Sequence, residues 1–234
     1  ETPSIDYYLK ERLSSGKATV EIYDEKGQLV QSMPGTVRKG INKVFWNLRG
    51  IPPKVAAGST KMDGAGFTAP MVLPGKYTVK LKLNDKEYSG DLNCVHDAAN
   101  KDLSMADRKL VYDKAMNLQN LYTKINSSID SITSIQTKLK SDSVAYKKSK
   151  SNQALFDELE KVRADFMATK QKSIFADEEK LREKVSKLYG VFSSMESKPN
   201  VIQLQSIEDL NEEYRNLQAE LNKVLKKNNG PVIY

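Results

Sequence analysis

A single cysteine, Cys94, in a chain of 234 residues excludes an internal disulfide and any cysteine-rich zinc site. No apolar run approaches 18 residues, so the sequence predicts no membrane-spanning helix. There is no Walker loop, dinucleotide fingerprint, nucleophile elbow or zinc-binding helix motif. The formal charge is +7, but it is spread thinly. Runs such as Lys147-Lys148-Ser149-Lys150 and Lys226-Lys227 fall at an expected helix connection and helix end, with no aromatic ladder or glycine-rich phosphate loop. They read as solvated ends, and no nucleic-acid partner is expected.

Glycine and proline are scarce in one half only. After residue 100 the sequence holds just Gly190, Gly230, Pro199 and Pro231, and every other turn former precedes it. A turn-rich half followed by a turn-poor half is what strands followed by long helices produce. The expected fold class is therefore an all-β unit, 1–99, followed by an all-α unit, 100–234.

Within 1–99 the stretch Gly40 to Gly50 carries the only tryptophan. Alternation places Val44, Trp46 and Leu48 on one face and Phe45, Asn47 and Arg49 on the other, as in a half-buried strand. Trp46 reads as a core residue because its large apolar area dominates a small core. Ile5, Tyr7 and Leu9 alternate, as do Ala18, Val20 and Ile22. Asp24-Glu25-Lys26-Gly27 reads as a hairpin turn, and Leu73-Pro74-Gly75-Lys76-Tyr77 as a second reversal. Tyr77, Val79, Leu81 and Leu83 are expected inward, and Asn84-Asp85-Lys86-Glu87 is a hairpin tip. Six or seven short strands with regular turns predict an antiparallel β-sandwich of the immunoglobulin or fibronectin type.

Between the tryptophan strand and Pro74 runs a long irregular segment, Ile51 to Met71. Long structureless loops are often functional, so Met62, Asp63 and Phe67 are the candidate contact residues; the blander alternative is a cross-over packed on the sandwich. Asp63 is its only acid, too few for a calcium cage.

After residue 100 the apolar positions Leu118, Leu121, Tyr122, Ile125, Ile129, Ile132, Ile135 and Leu139 step by threes and fours down one helix, Leu103 to Lys140, capped by Asp102 or Ser104. Further stripes run over Leu155 to Phe166, Leu181 to Met195 and Ile202 to Val224, with Pro199 as a stop. They predict an up-and-down bundle of three or four helices, depending on whether 173–177 is a kink or a loop.

Catalytic groupings are thin. Cys94, His96 and Asp97 can be drawn as a nucleophile and base, but residues 94 and 96 share a strand face and no third group is specified. Paired acids such as Glu208-Asp209 and Glu212-Glu213 belong to exposed helix faces and do not oppose one another across a cleft. No enzymatic activity, metal or cofactor is expected within these residues.

The ordered set Ile5-Asp6-Tyr7-Tyr8-Leu9, Val20-Glu21-Ile22-Tyr23-Asp24 with Gly27, Gly40 to Arg49, and Leu73 to Leu81, with Leu188-Tyr189-Gly190-Val191 ahead of Pro199, resembles the C-terminal region of bacterial sortilin-like, BNR-repeat β-propeller proteins classed with the glycosyl hydrolases. The resemblance implies a non-catalytic accessory module of an exported protein, periplasmic, cell-surface or secreted, whose upstream β-propeller is its partner and holds any catalytic acids. Asn47 stands where an acid is common, and Val95-His96-Asp97-Ala98-Ala99 where Asp-Pro-Arg often follows, and no functional residue carries over. The alternative is a free-standing adhesion module that binds carbohydrate or another protein.

Overall fold

The computed structural model describes residues 2–57, 64–96, 103–169 and 179–228. Within them are six strands in two antiparallel sheets, then five helices. The smaller sheet pairs β1 (Ser4–Leu9) with β4 (Gly40–Phe45). The larger has the order β3 (Leu29–Gly35), β2 (Ala18–Tyr23), β5 (Gly75–Leu83), β6 (Lys86–Cys94).

The alternation read from sequence is visible in β2, where Ala18, Val20 and Ile22 are buried and Thr19, Glu21 and Tyr23 are not. Two left-handed turn residues shape the larger sheet. Gly27, at φ 73°, reverses the β2–β3 hairpin, and Asn84, at φ 52°, sits in the two-residue turn between β5 and β6. Glycine and asparagine take that backbone region at low cost.

The sheet core is a small cluster of Ile22, Trp46 and Tyr77, ringed by half-buried Ile5, Val30, Met33, Leu48, Val72, Leu92 and Cys94. Trp46 is 1% exposed and meets Tyr77 edge to face at 6.0 Å. Val79 and the residues after it, expected inward, are only half-buried. The partner of Val79 on β6 is Gly90, which has no side chain to cover it, and β6 itself is largely exposed. Leu48 also departs from its expected strand position. The strand ends at Phe45, and Leu48 adopts φ 57° in a turn that lets the Trp46 indole N–H donate to the Arg49 carbonyl at 2.9 Å.

The helices number five rather than three or four. They are α1 (Met105–Lys140), α2 (Ser143–Lys148), α3 (Lys150–Phe166), α4 (Leu181–Ser193) and α5 (Val201–Lys227). The added element is α2, one short turn of helix where a plain connection was expected. Asp142 creates it by accepting from the Val144 and Ala145 amides at 3.0 and 2.9 Å, satisfying donors a helix start otherwise leaves open. Ser104 caps α1 and Asn200 caps α5 in the same way. The 173–177 break lies outside the described residues, as does Asp102.

α1 packs against α3, α4 and α5, and its stripe of Leu118, Leu121, Tyr122, Ile125, Ile129 and Ile132 is buried at the centre of one continuous apolar cluster. Phe166, Leu181, Val185, Tyr189, Ile207 and Leu221 close around that stripe from the other helices. Glu183 accepts from the Ala168 amide at 3.0 Å and pairs with the fully buried Arg182 at 3.0 Å, tying the end of α3 to the start of α4. None of the described helices is long and apolar enough to cross a membrane.

Candidate functional site

The irregular segment after Trp46 is where the sheets and the helices meet. Small residues let it lie close. Ala56 and Ala65, 4% and 3% exposed, belong to the helical core and not to the sheet core. A 3-10 turn, Gly64–Phe67, packs on α4. Gly66 lies so near Val55 that a β-carbon there would come to 2.5 Å from a Val55 methyl, so any larger residue would force that side chain to shift.

Polar ties fix the described residues on both sides of 58–63. The Ile51 carbonyl accepts from the Gln119 side chain at 3.0 Å, and Lys54 pairs with Asp130 at 2.6 Å. The Ala56 amide donates to Asn126 Oδ1 at 2.8 Å, while Asn126 Nδ2 donates to the Tyr122 carbonyl at 2.7 Å. Asn126 is fully buried, so both of its bonds are made in a low-dielectric interior where a lost partner is expensive. Further along, the Tyr189 hydroxyl donates to the Thr68 carbonyl at 3.0 Å. Arg49 Nη1 donates to the carbonyls of Ala69 at 2.6 Å and Ser193 at 2.8 Å. These bonds form a seam that joins residues far apart in the chain.

Burial at the seam shifts its titration. The Tyr189 hydroxyl is pushed up to about 12 by desolvation, which outweighs nearby Arg49. In the sheet core Tyr77, whose hydroxyl donates to the Leu73 carbonyl at 2.6 Å, is also pushed up to about 12, again first by desolvation. Both stay protonated, and able to donate, through neutral pH.

The candidate contact residues are placed as follows. Phe67 ends the 3-10 turn with its side chain 81% exposed, while Met62 and Asp63 lie outside the described residues. Trp46 and Tyr77 are buried together and Val79 is half-buried. Sequence reasoning missed a second exposed apolar set. Tyr8, Ile41 and Phe45, at 67%, 72% and 64% exposed, stand on the outer face of the β1–β4 sheet. Tyr8 faces Ile41 directly, and Asp6 pairs with Lys43 at 2.7 Å between them and Phe45. The signal was present in the alternation, which put Tyr8 and Phe45 opposite the core-facing residues.

Of the grouping at the end of β6, Asp97 lies outside the described residues. Burial raises the Cys94 thiol above its ordinary value, the opposite of what an activated thiolate needs. No group of three or more His, Cys, Asp or Glu side chains suited to a metal ion occurs among the described residues.

Comparison of the chain with protein-family models, with curated proteins and with solved structures gives no match in any of the three.

Proposed function

We propose that this chain is a non-catalytic accessory module of an exported, sortilin-like β-propeller protein. In this reading the two sheets form an immunoglobulin-like sandwich, the helices an up-and-down bundle, and the seam unites them into one body that packs on or extends the propeller. The observation that carries it is the seam. A chain that uses a buried hydrogen bond to Asn126 and half-buried ones from Tyr189 and Arg49 to fix its two halves is built to hold a shape. The outer face with Tyr8, Ile41 and Phe45 supplies apolar surface for the contact with the propeller.

Two measurements test this. Propeller repeats read in frame upstream of this sequence are required, and their absence would overturn the proposal. Calorimetric titration of the chain into that propeller is then expected to show association with a negative heat-capacity change, the mark of apolar burial. Tyr8→Ser with Phe45→Ser should weaken it. No heat and no complex would instead favour the adhesion reading.

That second reading rests on Phe67, an exposed aromatic held on a turn that is itself pinned to α4. It predicts saccharide or protein binding that Phe67→Ala abolishes. Binding that survives the change would remove this residue from the account.

A further inference from the structure

A cleft of about 740 Å³ opens where five stretches of chain meet: the Leu48-Arg49 turn, Pro70 to Pro74, the end of β6 at Cys94 to His96, the start of α1, and the end of α4 with the residues after it. Its size is that of a pocket for a small organic molecule, whose sites measure roughly 300 to 1,000 Å³. Apolar walls come from side chains such as Val72, Val111 and Phe192.

The polar part of the lining is one-sided. Arg49 uses Nη1 on the two carbonyls of the seam, and no carboxylate among the described residues pairs with its charge. His96 Nε2 is buried without a hydrogen-bond partner among the described residues. Tyr112 makes no hydrogen bond among the described residues, and burial raises its hydroxyl above the ordinary value, so it stays a donor. Arg108 adds a second guanidinium, its Nε donating to the Leu103 carbonyl at 3.2 Å. The single acid in the lining, Glu196, is exposed at the rim, where water screens it.

A buried polar atom without a partner is costly, and among Arg49, His96 and Tyr112 it is His96 Nε2 that is so placed, the Arg49 and Tyr112 side chains being half-buried. Three side chains that can donate, one of them the positively charged Arg49, line one cleft and are complementary to an acceptor-only, negatively charged group. The apolar walls are complementary to a short hydrocarbon body attached to it. We infer that the cleft binds a small organic carboxylate, its head group on Arg49, His96 and Tyr112 and its apolar body against Val72, Val111 and Phe192. An anion there selects the His96 tautomer with a proton on Nε2 and gives Arg49 the charge partner it lacks. The inference does not depend on the accessory-module reading, since a propeller-docked chain and a free-standing one present the same cleft.

The test uses the fact that the chain has one histidine. The ring-proton resonances of His96 are therefore an assignable reporter placed in the cleft. Hexanoate, hexan-1-ol and hexylamine share a six-carbon body and differ in head group. At one fixed pH, hexanoate is expected to move the His96 resonance saturably, with affinity at least about tenfold above that of hexan-1-ol, the ratio a charge-assisted hydrogen bond supplies. Hexylamine should leave the resonance in place. Arg49→Gln should lower hexanoate affinity at least about tenfold and leave hexan-1-ol unaffected. Tyr112→Phe, which removes a hydroxyl and no seam bond, should lower it severalfold and keeps the test open if Arg49→Gln loosens the fold. Equal affinity for hexanoate and hexan-1-ol would overturn the inference, as would an absence of saturable shift up to about 10 mM hexanoate, weaker than any specific small-molecule site.

Discussion

The sheet half has one compact cluster, Ile22, Trp46 and Tyr77, ringed by half-buried side chains, with the smaller Leu9, Ala18, Val20 and Val44 buried outside it. The helical half distributes its burial along the middle of α1, about five turns from Ala115 to Ile132, and takes layers from α3, α4 and α5. The difference teaches where each half is vulnerable. A small cluster concentrates the apolar area in its largest member, so the sheets depend on a single indole. A long stripe spreads the same demand over many side chains, each of which can be lost without emptying the core.

The sharpest way to break that comparison is truncation on both sides of it. Trp46→Ala should cost about 3 to 5 kcal/mol, combining cavity formation with loss of the indole bond to the Arg49 carbonyl, as read by urea unfolding followed by circular dichroism. Leu118→Ala in the helical stripe should fall toward the lower end of about 2 to 5 kcal/mol. If Leu118→Ala proves the costlier, the contrast between a concentrated and a distributed core is wrong.

Alkaline pH comes next. Tyr77 and Tyr189 have an ordinary value of 10 and are each held near 12 in the folded chain. A group whose folded value is raised contributes stability that is full below the unfolded value and lost as pH rises through the folded one. Thermal stability should therefore hold up to about pH 10 and decline between there and about pH 12, with the last tyrosinate absorbance appearing only as the fold melts. One tyrosine sits in each half, so Tyr77→Phe and Tyr189→Phe should each remove part of the decline.

The seam comes third. Asn126→Ala leaves the Ala56 amide without its acceptor and should cost about 1 to 3 kcal/mol, measured by the same unfolding. Tyr189→Phe keeps the ring and removes the hydroxyl's bonds to Thr68 and Gln119, for about 0.5 to 1.5 kcal/mol at neutral pH. Phe67→Ala is the smallest change, within about 0.5 kcal/mol, because its side chain touches mainly water. A larger loss would mean that Phe67 belongs to the seam.

The long periodic elements were legible because period and capping chemistry agree. The spacing predicted a helix from Leu103 to Lys140, and α1 runs Met105–Lys140 behind its Ser104 cap. α2 was not legible, since its only signal is one aspartate ahead of six residues. The half-burial of Val79 was equally hidden, because it depends on which residue of another strand stands beside it, and that residue is Gly90. The seam escaped for a similar reason. On the segment's side most of its contacts are made by alanines, a glycine and backbone groups, which carry no pattern until their partners are known. Asn126 and Tyr189 lie in helical stripes where polar atoms read as exceptions to an apolar face, and only the fold shows what they reach. The cleft is assembled from five separate stretches of chain, which no local window contains.

The bond from Arg49 to the Ser193 carbonyl closes a loop of 144 residues, and the segment between them holds Ala56 and Ala65, whose cover includes α4. On the ribosome that cover does not yet exist when the segment emerges. At a synthesis rate of about 5 to 20 residues per second, roughly 6 to 26 s separate the appearance of Ala65 from that of Ser193. Throughout that interval the sheets can form, but the strip that belongs to the helices stays open to water and to other nascent chains. The molecule therefore completes itself late, and its growing form carries an exposure that its finished form does not.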